Sequence, residues 1–329
     1  MDRAPLTAAR LRRRTFAASL GLPWLLPHPA AMGQQREGRC AAPQERVIVW
    51  QPWAAHAGLD AAGWQRLALE LQRQNRTHVL LQWSSYGERE FWPRGRGGWL
   101  AQGFEHWRGT GLELVMGLDM GEDYYRLLPQ PDGVLRAHLA GTRTRSIALA
   151  RRILARPPAL EVQGWYLPQE IDDLHWRSPA RRRMLRNHLA AMGDSLASLT
   201  PGMAGAPVFA SAFFSGASAP EQFAVFLRDL HRGTGVIWLV QDGLGTGRLD
   251  EARTADYLGA IARTLPPAGW RGLIEVFDER RAPDGSTRYE PSAPATIARR
   301  EALWCASTGR QASVVFSLNQ SMKGLLPAG

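Results

Sequence analysis

The chain has 329 residues, with 40 Lys and Arg against 30 Asp and Glu, for a formal net charge of +10. It is 45% hydrophobic and 21% charged, which excludes both a multi-span membrane protein and a disordered chain. Lys323 is the one lysine, and an arginine skew of this kind speaks more of a GC-rich genome than of a built basic surface.

In chain order, residues 1–33 read as a signal peptide of the twin-arginine type rather than as fold. Arg12-Arg13-Arg14-Thr15-Phe16 precedes a short apolar run, Ala17 to Leu26, and small residues follow at Ala30, Ala31 and Gly33. A charged start, an apolar middle and a small-residue cleavage zone make an export signal. The expected partner of this leader is the Tat export machinery, and the expected location of the mature chain is periplasmic or secreted. A plain basic N-terminus is the competing reading. The apolar run is far shorter than the ~20 residues of a spanning helix, and Cys40 follows Glu37-Gly38-Arg39 rather than a lipoprotein box. No stable membrane anchor is therefore expected. Residues 34–45 read as a short linker.

The leader holds five Arg and one Asp, so cleavage leaves +6 on the mature chain. No basic block interleaved with aromatics remains, and Arg181-Arg182-Arg183 reads as a solvated helix face. Nucleic acid is not an expected partner. In an oxidising compartment Cys40 and Cys305 can form a disulfide, and two separate thiols are the alternative.

From residue 46 onward, short apolar β-rich runs alternate with helical patterns. The predicted strands are 47–53, 78–83, 112–118, 162–167, 208–213, 235–240, 272–277 and 313–318. Helices are predicted at 60–75, with an apolar face of Trp64, Leu67, Leu69 and Leu71, and at 134–155, 178–199, 220–232, 251–265 and 293–307. The stretch 84–111, with Gly95-Arg96-Gly97-Gly98, reads as a long loop plus a short helix. Eight βα units predict an α/β fold, a single-domain (β/α)8 TIM barrel over 46–323 with a tail at 324–329. An open doubly wound sheet is the rival, and its Gly-rich turn is missing after the first strand, where the chain reads Gln51-Pro52-Trp53-Ala54.

A barrel carries its site at the strand C-termini. Those ends offer Gln51 and Trp53; Gln82, Trp83 and Ser84; Asp119; Glu170 and Asp172; Ser211; Gln241 and Asp242; Glu275, Asp278 and Glu279; and Ser317 and Asn319. There is no His-x-His for a metal hydrolase, so no metal and no cofactor are expected, although a carboxylate-only metal site is a further reading. No Gly-x-Ser-x-Gly elbow supports a serine nucleophile. Gly243-Leu244-Gly245-Thr246-Gly247 reads as an ordinary loop before it reads as a phosphate cradle.

Two carboxylates on strands four and seven, Glu170 and Glu275, face across such a barrel mouth. Glycoside hydrolysis needs this pair, one acid to protonate the leaving oxygen and one to attack carbon or activate water. Glu279 shares the parity of Glu275 and is an alternative catalytic residue. Trp50, Trp53, Trp83, Trp92, Trp165, Tyr166 and Trp238 lie at or near strand ends, where flat rings suit sugar faces. Strand alternation allows three or four of them near a cleft. The expected substrate-binding set is Trp50, Gln51, Trp53, Gln82, Trp83, Asp119, Tyr166, Gln241, Asp242 and Asn319.

The stretches Gly164-Trp165-Tyr166-Leu167-Pro168-Gln169-Glu170, Gln241-Asp242-Gly243-Leu244-Gly245 and Glu275-Val276-Phe277 together resemble the bacterial barrel family known as domain of unknown function 4434. Val49-Trp50-Gln51-Pro52 and Leu81-Gln82-Trp83 are compatible with its opening strands, and the resemblance runs from about Arg46 to Met322. That family is similar to glycosidase barrels, and the resemblance implies Glu170 as acid/base and Glu275 as nucleophile or base. Gln169 stands where the large retaining glycosidase clan has Asn. The resulting expectation is an exported glycoside hydrolase with a carbohydrate substrate, a polysaccharide or oligosaccharide. The alternative is a non-catalytic glycan-binding barrel of the cell envelope.

Overall fold

The computed structural model describes residues 40–92, 98–199 and 206–327. The leader and most of the expected linker lie outside the described residues. Arg39–Gly329 forms one compact unit.

Eight parallel strands close into a barrel in sequential order. They are β1 Val47–Trp50, β2 His78–Leu81, β3 Glu113–Gly117, β4 Val162–Asp172, β5 Val208–Phe213, β6 Ile237–Gln241, β7 Trp270–Glu275 and β8 Val314–Phe316. β8 returns to pair with β1, Val47 against Val314. Around them run α1 Ala61–Arg73, α2 Trp99–Glu105, α3 Asp132–Ala155, α4 Pro179–Leu199, α5 Pro220–Thr234, α6 Glu251–Thr264 and α7 Pro294–Thr308. Every predicted strand and helix is present, with ends shifted by a few residues.

Strand alternation sorts the side chains into two cores. The barrel interior holds Val47, Val49, Leu80, Val115, Tyr166, Leu239, Leu273 and Val314, with Phe209 and Phe316 packed on them. The opposite parity, including Ile48, Trp50, Trp165, Trp238 and Ile274, packs under the helices. On α1 the buried face is Trp64, Leu67, Ala68 and Leu71, and Leu69 points to solvent. The 3.6-residue period places 64, 67, 68 and 71 on one stripe and 69 off it.

Local chemistry starts and stops these helices. Asp60 and Asp250 cap α1 and α6, accepting from the amides of Gly63 at 2.7 Å and Arg253 at 2.8 Å. Proline opens α5 and α7. Gly309 ends α7 at φ 70°, a left-handed conformation that glycine takes without penalty.

That end of α7 also fixes the start of the described chain. Cys305 is joined to Cys40 by a disulfide with Cα atoms 5.5 Å apart. The Ala41 amide donates to the Gly309 carbonyl at 3.1 Å, and Gln311 returns a bond to Ala41. Glu45 pairs with Arg271 at 3.2 Å. Residues 40–45 are therefore part of the barrel's base rather than linker. The expected tail is similarly packed: Leu325 and Leu326 lie against the helix-layer core. Two small elements were not predicted, a hairpin of Phe277–Arg281 and Thr287–Pro291 after β7 and a three-stranded patch of Ser85–Tyr86, Arg89–Glu90 and Asp119–Met120.

The disulfide closes a loop of 265 residues. Removing such a bridge typically costs ~2–5 kcal/mol. The C40S/C305S variant is expected to unfold several degrees below the wild type, and reductant should lower only the wild type's Tm. Equal Tm values would show that the backbone bonds of Ala41 alone hold this end.

Candidate active site

Glu170 owes its position to a broken ladder. Pro168 has no amide to give, and the pairing register between β4 and β5 shifts between Leu167 and Ile171. The strand continues beyond the shift to Asp172 and carries Glu170 to the barrel mouth. Gln169 turns the other way and donates to the Asp119 carbonyl at 2.8 Å, tying β4 to the exit of β3. Two adjacent tyrosines of the short helix Tyr124–Leu127 clasp the residue. Tyr124 donates to the Glu170 carbonyl at 2.7 Å and Tyr125 to its Oε2 at 2.6 Å. Gln241, the last residue of β6, donates to Oε1 at 2.8 Å. Burial raises the Glu170 carboxyl above its ordinary value, while the Tyr125 and Gln241 donors and the charge of Arg248 oppose the rise.

Glu275 ends β7 and is 3% exposed. It has the inward parity of Leu273, so it stands directly above the interior core. Its Oε2 accepts from the Gly245 amide at 2.7 Å. Only glycine fits there: a Cβ on residue 245 would lie 2.6 Å from the Phe277 carbonyl and 2.8 Å from that Oε2. The glycine-rich run is thus a close cover over a carboxyl group.

Asp242, one residue past β6, has the opposite parity and is fully buried beneath α7. It accepts from Trp304 Nε1 at 3.1 Å and from the Leu244 amide at 3.2 Å. Desolvation and then the Asp242 charge hold the Glu275 carboxyl well above the ordinary range, and desolvation raises Asp242 as well. Arg300 of α7 is the buried cation nearby. It donates to the carbonyls of Glu275 at 2.7 Å, Phe277 at 3.0 Å and Leu244 at 3.2 Å, and pairs with Asp278 at 2.7 Å. It fixes the exit of β7, the glycine run and the root of the hairpin together.

Glu170, Gln241 and Glu275 open into a cleft of about 550 Å³. Gln51, Trp53, Gln82 and Trp83 line it as well. Trp53, Trp83 and Tyr86 pack edge-on or tilted at centroid distances of 4.9–5.7 Å. Phe213 of β5, Phe277 at the root of the hairpin and Phe316 of β8 extend the apolar lining. Gln82 Oε1 is buried without a hydrogen-bond donor.

Six residues of the expected set are placed away from the cleft lining. Trp50 faces the helix layer among Trp64, Trp99 and Trp107, and its Nε1 donates to His56. Asp119 pairs with Arg145 at 2.8 Å and accepts from Ser85. Tyr166 is interior core, bonded to Ser211 at 2.8 Å. Asp242 lies behind Glu275, as described. Asn319 spends its amide on the Gln51 backbone, accepting at 3.0 Å and donating at 2.9 Å. Glu279 is exposed on the hairpin opposite Tyr289, because the chain leaves the barrel after Glu275 and strand parity no longer aims it inward. Trp92, Trp165 and Trp238 are also buried in the helix-layer core, so two of the seven aromatics expected near strand ends line the cleft.

The sequence reading missed Tyr125, Arg248, Tyr289 and Arg300. Tyr125 lies in the short helix Tyr124–Leu127 after β3 and Arg248 in the loop after β6, where position past a strand end is the one available signal. Tyr289 required the unpredicted hairpin. Arg300 was read as part of an ordinary helix. Asp172 and His175 line the cleft but bond each other at 2.6 Å, and Asp172 also accepts from the amides of Leu174 and His175. Among the described residues no group of three or more His, Cys, Asp or Glu is arranged to hold a metal ion.

The family described as "Domain of unknown function (DUF4434)" matches residues 48–324. The chain belongs to this family. Uncharacterized protein YbcH of Escherichia coli K12 is 29% identical over 247 residues, which is 75% of this chain and 81% of that protein. Among solved structures, a candidate alpha-L-fucosidase from Bacteroides thetaiotaomicron superposes with a TM-score of 0.64 at 14% identity, covering 90% of this chain and 92% of its own. The spore cortex-lytic enzyme SleL of Bacillus cereus gives 0.50 at 9% identity, covering 84% and 70%. These structural likenesses establish the barrel fold.

A carboxyl group with a raised pKa binds its proton more tightly folded than unfolded, so its contribution to stability falls as pH rises above the ordinary carboxylate range. The E275Q variant removes this penalty. Its Tm is expected to rise relative to the wild type between about pH 5 and about pH 9. A Tm difference that stays constant over that range would refute the raised state of Glu275.

Proposed function

We propose that this DUF4434 protein is an exported glycoside hydrolase that cleaves a polysaccharide or oligosaccharide with two carboxyl groups, Glu170 and Glu275. The observation that carries the reading is the pair itself: two carboxyls on one aromatic-lined cleft, in surroundings that separate their proton affinities. The surroundings favour a division of roles opposite to the one implied by the family resemblance. Glu275, desolvated and beside Asp242, keeps its proton and suits the acid. Glu170 accepts from two donors and has Arg248 near it, which suits the carboxylate.

In this mechanism the Glu275 proton passes to the glycosidic oxygen as its bond to the anomeric carbon breaks. Glu170 forms the new bond to that carbon, or takes a proton from the water that does. When Glu170 has bonded, water displaces it and returns a proton to Glu275. Gln241 holds Glu170 in place, while Gln82 offers a buried acceptor to a sugar hydroxyl. Trp53 and Trp83 provide faces for sugar rings. The fold is shared with a protein whose name denotes a fucosidase, which agrees with this reading without naming the sugar. Export by the Tat machinery to the periplasm or beyond agrees with the disulfide. Among the described residues no helix is long and apolar enough to cross a membrane.

Release of reducing ends from a glycan panel by the mature protein tests the proposal. E170Q and E275Q are each expected to lower turnover on the order of 10²–10⁴-fold. With aryl glycosides of good leaving groups, which need no protonation, E275Q should recover its first step and E170Q should not. Unchanged turnover in both variants would sink the assignment, and glycan binding without hydrolysis by the wild type would favour a binding module.

A further inference from the structure

The cleft is rich in carboxyl groups. Glu170, Asp172 and Glu275 line it, and Asp242 lies just behind. Its basic side chains are His175 and Arg248. His175 is taken up by Asp172. Arg248 is exposed at the cleft, and among the described residues it forms no hydrogen bond or ion pair. This contrasts with Arg300, buried against Asp278, and Arg145, paired with Asp119.

The backbone beneath Arg248 is held on both sides. Upstream, the Gly245 amide is bonded to Glu275, the Gly245 carbonyl accepts from Glu279, and the Leu244 carbonyl accepts from Arg300. Downstream, Leu249 packs on the core and Asp250 caps α6. A fixed base therefore presents a guanidinium that acts on Glu170 through its charge but, among the described residues, makes no hydrogen bond or ion pair with a carboxylate.

Tyr289 stands at the same cleft. It is 51% exposed, lines the cavity from the hairpin, and has its ring edge-on to Phe277 at 5.3 Å. It lies within the electrostatic reach of Arg248. A flat ring and a planar cation lining one cleft match a sugar ring bearing an anionic group, because guanidinium binds carboxylate and sulfate through paired N–H donors. An anionic glycan also needs such a cation to enter a cleft of carboxyl groups.

We propose that Arg248 and Tyr289 form a subsite for a sugar carrying an anionic substituent, a carboxylate or a sulfate ester, so that the glycan taken by this cleft is acidic. This deepens the glycosidase reading and rests on the cleft being a glycan site.

The test measures binding by calorimetry on the E275Q protein, so that no turnover intervenes. The probes are uronic-acid oligosaccharides with their carboxyl-reduced twins, and sulfated oligosaccharides with their desulfated twins. At least one acidic probe is expected to bind about tenfold or more tightly than its neutral twin. The pair that shows the preference identifies the anionic group. R248M should abolish the preference while leaving the neutral twin's affinity unchanged, R248K should retain part of it, and Y289A should weaken both twins alike. Equal binding of all twins, no binding of any acidic probe, or an R248M loss equal for both twins would overturn the subsite. The last of these would leave Arg248 as an electrostatic partner of Glu170 alone. Cleavage of neutral glycans without a charge preference overturns the subsite and keeps the hydrolase. Arg248-dependent binding without cleavage by the wild type does the reverse.

Discussion

Two buried carboxyl groups, Glu275 and Asp242, occupy the ends of neighbouring strands at the barrel mouth, and both cannot be ionised there at small cost. The surrounding structure is arranged around that constraint. Trp304 and the Leu244 amide satisfy Asp242, the Gly245 amide satisfies Glu275, and Arg300 binds the carbonyls that frame them. A side chain at residue 245 would collide with its cover, and the loss of Arg300 would free three backbone segments at once. In the proposed mechanism such an arrangement holds a proton at the cleft, which is what acid catalysis of glycoside cleavage requires.

The barrel was legible because its strands are buried on both faces and separated by amphipathic helices, a rhythm that survives without knowledge of any contact. Glu275 and Gln241 were legible as inward residues because they share the parity of Leu273 and Leu239. Asp242 and Trp50 were misread for the same reason. Strand-end position suggested the cleft, while parity sent them under the helices. Most tryptophans are structural in this way: Trp50, Trp64 and Trp107 pack ring against ring beneath α1 and α2. Glu170 is the exception that parity alone could not place, since the register shift at Pro168 resets the alternation. The hairpin after β7 was hidden because its strands, Phe277–Arg281 and Thr287–Pro291, are largely polar and exposed and carry no hydrophobic period.

The charge of the chain takes on a different meaning at this level. Several exposed arginines are spent on local pairs, such as Arg73 with Glu70, Arg108 with Glu105 and Arg299 with Glu251. Pairs this exposed contribute little to stability. Two arginines at the site have opposite fates: Arg300 is buried and saturated with partners, and Arg248 is exposed at the cleft with no hydrogen bond or ion pair among the described residues. Arg300 frames the site, and Arg248 is the residue proposed to meet what enters it.

In the proposed mechanism Glu275 holds a proton at neutral pH. Carbon-13 NMR of side-chain carboxyl groups, in protein labelled at glutamate, reads that proton directly. One glutamate resonance should remain at its protonated shift at about pH 7, vanish in E275Q, and move toward the ionised shift in D242N, where the opposing charge is gone. If every glutamate resonance titrates in the ordinary carboxylate range and E275Q removes one of those, the central claim is contradicted.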